Sequence, residues 1–204
     1  MNRLDVCNLA LMYIGVTRPV QSFSENSTEA QLCNRVYDTA KEIVLKAFAW
    51  EFSKITAALT VTTETSNKFE YVYEYPDDCI RILSISDSSG IGVDQQPFEV
   101  SSIVTDSLPY KRILTNVKSA YAEYILNVYE EALPGEFLDA LAWKVATMIG
   151  TGLSKTPQTI QFANQMYEIS LSKAQKASMY EKPQTIINRP SYLASRGGWL
   201  HGKF

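Results

Sequence analysis

Apolar residues in this chain recur every three or four positions up to Trp50, every two positions from about Ser53 to Val128, and every three or four again after Pro134. A spacing near 3.6 lines up one face of a helix, and a spacing of two lines up one face of a strand. Neither an all-helical nor an all-strand fold buries both patterns. The chain therefore has to join helices at its two ends to a β-rich middle.

Residues 3–14 place Val6, Leu9, Ala10, Tyr13 and Ile14 on one stripe, and Gly15 stands ready to take the left-handed conformation that ends a helix. Asn26 as N-cap, with Glu29 three residues later, predicts the start of a second helix. Its face is Leu32, Val36, Ala40, Ile43, Ala47 and Trp50, so roughly 22 residues would span about 33 Å. After Pro134-Gly135 a third helix carries Phe137, Leu141, Val145 and Met148. A fourth restarts at Thr156 or Thr159 and carries Ile160, Ala163, Tyr167, Leu171, Ala174 and Ser178 to about Glu181.

In the middle, Phe69, Tyr71, Tyr73 and Tyr75 alternate with Glu70, Val72 and Glu74, a strand with an aromatic face. Pro76-Asp77-Asp78 turns the chain, and Cys79 to Ile85 resumes as strand. Short strands are expected at Phe98–Val100, Arg112–Thr115 and Ala120–Val128, with Ile55 to Thr63 in the same sheet. No crossover helix separates them, so they pair antiparallel. The expected class is α+β: an antiparallel four-helix bundle with an inserted β-rich domain and an extended C-terminal tail. The bundle takes 1–52 and 129–182, the insertion 53–128 and the tail 183–204.

Of the 204 residues, 46% are hydrophobic and 20% charged, which excludes general disorder. No apolar run approaches the ~18 residues of a membrane helix. Met1-Asn2-Arg3-Leu4-Asp5 puts an acid where a signal peptide would begin its apolar stretch, so a soluble protein made in the cytoplasm is expected. The one histidine is His201, and the three cysteines, Cys7, Cys33 and Cys79, lie far apart. A four-ligand zinc site and a Ser-His-Asp or Cys-His engine both lack their parts. Cys7 and Cys33 fall on apolar faces and read as buried thiols. No catalytic residue, metal or cofactor is expected.

Other motifs read as structure. Gly90-Ile91-Gly92 lacks the third glycine of a dinucleotide fingerprint. Asp77-Asp78 and Glu130-Glu131 are paired acids, but general acid–base work needs carboxyls that face each other with one desolvated. The aromatic strand could stack bases or sugars, yet such strands are usually core.

Charge is uneven. From Lys182 onward there are four basic residues, Lys182, Arg189, Arg196 and Lys203, and no acid. The remainder holds 15 basic and 22 acidic residues, so a body of −7 carries a tail of +4. Tyr192, Trp199 and Phe204 add aromatics to a segment with no period, which suits a stretch that orders on a partner.

Ile14-Gly15, Ser22-Phe23-Ser24-Glu25-x-Ser27-x-Glu29-Ala30-x-x-Cys33-x-x-x-Tyr37 and Trp50-x-Phe52 resemble the opening of the tail tubular protein A family, the head-to-tail adaptors of short-tailed bacteriophages. Tyr73-x-Tyr75-Pro76-x-Asp78-Cys79-x-Arg81, Ile113-Leu114-Thr115-Asn116 and Asp139-Ala140-Leu141-Ala142-Trp143 resemble three later blocks in the same order. The resemblance implies a structural virion protein, a helical bundle with a β-rich domain. It would form a ring of twelve copies between portal protein and tail nozzle protein (tail tubular protein B-like), assembled in the host bacterial cytoplasm. Such a ring extends the DNA channel without specific DNA binding and supports fibres or spikes. In relatives the C-terminal segment reaches the portal, which points to Arg189, Tyr192, Arg196 and Trp199 for docking. Some members are described as degrading glycans, and that activity is the alternative.

Overall fold

The first helix, α1 (Arg3–Tyr13), begins on a capping box: Asn2 accepts from the Asp5 backbone N–H while the Asp5 carboxylate accepts from that of Asn2. It ends where Gly15 takes φ +74°, with the Gly15 and Val16 N–H groups closing on Met12 and Leu11. That double closure is a Schellman end, for which a residue without a Cβ is needed. The computed structural model describes residues 1–87, 95–105 and 108–181.

The second helix, α2 (Thr28–Lys46), is capped by Ser27 rather than Asn26 and stops well short of Trp50. Its buried face is Ala30, Cys33, Tyr37, Ala40, Lys41, Val44 and Leu45, turned away from the expected stripe, and Ile43 is exposed. Trp50 reaches the core differently. The chain turns after Ala47, and the buried indole N–H donates to the Val44 carbonyl at 3.0 Å, covering an end carbonyl of the helix it was expected to extend. Arg81 donates to the Lys46 carbonyl at 3.0 Å, so a cation also sits at the negative end of the helix dipole.

Six strands follow: β1 (Lys54–Ala58), β2 (Tyr71–Glu74), β3 (Cys79–Ser86), β4 (Phe98–Thr105), β5 (Leu108–Thr115) and β6 (Tyr121–Leu126). They make two antiparallel three-stranded sheets, β1-β6-β3 and β2-β5-β4. Strands β4 and β5 form an eight-pair hairpin in unbroken register, longer than the pieces Phe98–Val100 and Arg112–Thr115 that the alternation predicts. The last helices are α3 (Gly135–Gly150) and α4 (Pro157–Tyr180), the latter capped by Thr156 with Pro157 at its first position.

The expected antiparallel four-helix bundle with an inserted β-rich domain and an extended C-terminal tail is overturned. The protein is α+β, but its four helices do not close into a bundle. Helix α3 is buried around most of its circumference, from Phe137, Leu138 and Leu141 to Trp143, Val145 and Ile149. It is the hub against which α1, α2 and α4 each pack, while α1 and α2 share a smaller contact with each other. The core that the helices leave open is sealed by the sheet β1-β6-β3, through Ile125 and the partly buried Ile80 and Leu83. The reason is compositional: α4 offers a narrow seam of Ala163, Tyr167, Ser170, Ala174 and Ser178, enough for one neighbour. Residues 182–204, which include the tail expected at 183–204, lie outside the described residues.

Strand β6 is buried on both sides. Ile125 faces the helices, whereas Ala122 and Tyr124 join Tyr73, Ile82, Ile85 and Ile113 in a second core between the sheets. The order of layers is therefore helices, sheet, sheet.

Candidate functional site

The four residues assigned to portal docking, Arg189, Tyr192, Arg196 and Trp199, lie outside the described residues, as does Gly90-Ile91-Gly92. Among the described residues the other motif residues resolve into a framework, a cleft and an exposed arm.

The framework gathers most of the blocks that carry the resemblance. Trp50 and Phe52 meet Phe137 edge-on, with ring centroids 5.1 and 5.2 Å apart. Tyr13 stacks on Trp143 at 4.0 Å and donates to Asp139 at 2.5 Å, while Ser170 of α4 donates to the other oxygen of that carboxylate at 2.6 Å. One acid on α3 thus ties three helices together. Burial and the neighbouring Asp139 carboxylate push the Tyr13 hydroxyl well above its ordinary value, which keeps it a donor. The Arg3 guanidinium lies over the rings of Tyr37 and Phe23, 4.7 and 5.4 Å from their centroids. Cys7 and Cys33 are free thiols buried against each other across α1 and α2; their mutual hydrogen bond and burial push the Cys7 thiol up. The raised Cys7 thiol is an inert packing group, whereas the same hydrogen bond pulls the Cys33 thiol down.

The cleft, about 420 Å³, opens where the two sheets meet the end of β1. Ala57 to Thr60, Tyr75 to Asp77, Tyr110, Arg112 and Tyr124 line it. Arg112 grips Glu64 with two hydrogen bonds, 2.7 and 3.0 Å, and lies 5.1 Å from the centre of the Tyr110 ring. The Lys111 ammonium sits 4.1 Å above the Tyr75 ring, and Tyr124 donates to Asp78 at 3.3 Å. Aromatic rings and the Glu64-bound Arg112 thus form part of the cleft wall. The Glu64–Arg112 pair, 48 residues apart in the chain, has no local sequence signal that could reveal it.

The paired acids do not assemble into a hydrolytic pair. Asp77 and Asp78 are both exposed on their turn. Glu130 receives the Lys41 ammonium at 3.1 Å. Burial on its own would raise its carboxyl, but its own backbone N–H and Lys41 outweigh that and hold it below the usual range. A general acid needs the opposite shift. Tyr71, Tyr73 and Tyr75 turn their common face into the core between the sheets, as an alternating aromatic strand ordinarily does.

The arm is the distal half of the β4–β5 hairpin, where Val104 is 68% and Leu108 56% exposed, with Val100 and Tyr110 also open to solvent. Val100 and Val104 share one face of the hairpin and Leu108 and Tyr110 the other, so the arm is apolar on both sides. The sequence signal was the β-branched run Ile103-Val104-Thr105 ahead of Leu108.

Among the described residues no cluster of three or more His, Cys, Asp or Glu could hold a metal, and no helix is long and apolar enough to cross a membrane. Neither a scan of protein-family models nor a search of curated proteins finds a match to this chain.

Proposed function

We propose that this chain is a structural adaptor of a short-tailed phage, a ring subunit between the portal protein and the tail nozzle protein. The observation that carries the reading is where the family-like blocks sit. Tyr13's partners Asp139 and Trp143, the Trp50–Phe52–Phe137 cluster and the Arg81 cap all serve the scaffold, and none of them converges on a reaction centre. A scaffold with an apolar arm and a basic, acid-free tail suits a protein whose work is assembly. In this reading the portal is met by Arg189, Tyr192, Arg196 and Trp199. Deletion of 183–204 is expected to leave a folded protein that no longer binds portal; unchanged portal affinity would overturn the docking assignment.

A second reading, glycan degradation, draws on the cleft, where the exposed Tyr110 could stack a sugar beside Asp77. Incubation with peptidoglycan and an α-glucan, with Asp77→Asn as control, tests it. Turnover lost in that variant would displace the purely structural reading.

A further inference from the structure

Two sheets of three strands have four outer edges, and this protein treats them unequally. The outer edge of β2 is covered by the preceding segment: the Thr62 N–H donates to the Val72 carbonyl at 2.8 Å and the Glu74 N–H to that of Thr60 at 2.9 Å. The outer edge of β3 is met by Gln96, whose N–H donates to the Ile85 carbonyl at 2.8 Å, and its pairing with β6 is broken by two register shifts. Bulges and covers of this kind stop a sheet from pairing with another chain. Strands β1 and β4 have no main-chain neighbour on their outer sides among the described residues.

Neither of these two carries the usual protection. Strand β4 reads Phe-Glu-Val-Ser-Ser-Ile-Val-Thr, eight residues in unbroken register with no lysine, arginine or proline. Its one charge, Glu99, is neutralised by Lys68. Strand β1 has a single charge, Lys54, already paired with Glu51 at 2.8 Å and with Glu123 at 3.7 Å. The edges therefore do not repel each other.

Which groups point outward follows from the ladders. Val104 lies opposite Pro109, which has no N–H to give, so the two form a non-hydrogen-bonded pair. Val104, Ser102, Val100 and Phe98 accordingly direct their main-chain groups to the free side. On β1, the Leu59 N–H bonds the Ala120 carbonyl just beyond the strand, which fixes Ala58, Thr56 and Lys54 as the outward residues. Three outward residues on β1 match three of the four on β4, enough for about six main-chain hydrogen bonds.

We infer that β4 of one copy pairs with β1 of the next, a head-to-tail contact that joins the two kinds of sheet across the subunit boundary. Two different edges meeting heterologously generate a ring or a filament, whereas β4 meeting β4 would stop at a dimer. Closure into a ring rests on the adaptor reading; the contact itself rests on the edges.

Sedimentation of the full chain from micromolar to near-millimolar concentration tests this. Ser102→Pro and Thr56→Pro each remove one outward N–H and leave the internal ladders intact. Val104→Lys keeps every hydrogen bond and adds an edge charge. Each is expected to raise the concentration of half-association about tenfold or more, with unchanged circular dichroism. Mixing Ser102→Cys and Thr56→Cys variants, both in a Cys79→Ser background, is expected to give a mixed disulfide dimer under oxidation. Rings that ignore all three edge variants would overturn the contact and leave the adaptor reading standing. Cross-links only between two Ser102→Cys chains would overturn the head-to-tail arrangement. A wild-type chain that stays monomeric throughout would overturn both self-association and the edge contact.

Discussion

Asp139 shows how much one side chain can hold. Its two oxygens receive Tyr13 from α1 and Ser170 from α4, and Ser170 is buried. Asp139→Ala strips both hydroxyls of their acceptor, and a buried donor without a partner costs about 1–3 kcal/mol. Thermal denaturation of Asp139→Ala is expected to show a loss near the top of that range, and Tyr13→Phe, which leaves Ser170 paired, a smaller one. Lys41 and Glu130 make a second such point, with a pH signature. Glu130's carboxyl is held below its unfolded value, so the pair stabilises the fold above about pH 4.5 and is lost as pH falls through the folded value. Lys41→Met is expected to lower stability at pH 7 by about 1–3 kcal/mol and to flatten the acid limb of the stability curve in denaturant titrations. Of these residues the sequence announces only part. Cys7 and Cys33 are legible as buried, because they sit on apolar stripes, but their contact with each other is not, since it depends on how α1 lies against α2. Lys41 looks like an exposed helix cation until Glu130 is brought to it from 89 positions away.

Among the elements, those closed by local chemistry were the legible ones. Gly15 ends α1 as its position predicts, and Gly15→Ala must force a Cβ into a left-handed residue. That substitution is expected to cost about 1–2 kcal/mol, measurable as a lowered denaturation midpoint. Thr156 and Pro157 start α4 for equally local reasons. The end of α2 was not legible, because its cap is tertiary: the Trp50 indole and the Arg81 guanidinium cover its last carbonyls, and periodicity alone carries the helix on to Trp50. The hairpin was cut short for a related reason. The outer halves of β4 and β5 have no core to alternate against, so the period of two fades just where the arm leaves the sandwich.

At the scale of the molecule, sequence separated helical and β-rich stretches well but could not tell what completes the helical core. A sheet does so, and β6 belongs to two cores at once. The residues proposed for portal docking lie outside the described residues, and the charge division in the sequence supplies the most direct physical test of that proposal. A body with 22 acids against 15 bases repels phosphate, whereas the stretch from Lys182 onward carries four cations and no acid. In the adaptor reading DNA must pass this protein without being held. Binding to duplex DNA weakens with salt at a slope near −0.9 per phosphate neutralised, so the four cations of the tail permit a slope no steeper than about −4. Fluorescence anisotropy with the full chain is expected to show weak binding at low salt with at most that slope. The form lacking 183–204 loses Arg189, Arg196 and Lys203 and is expected to lose that binding altogether. A truncated protein that keeps both the affinity and the slope would put the cation contacts on the body, and the channel wall would then grip DNA instead of letting it slide.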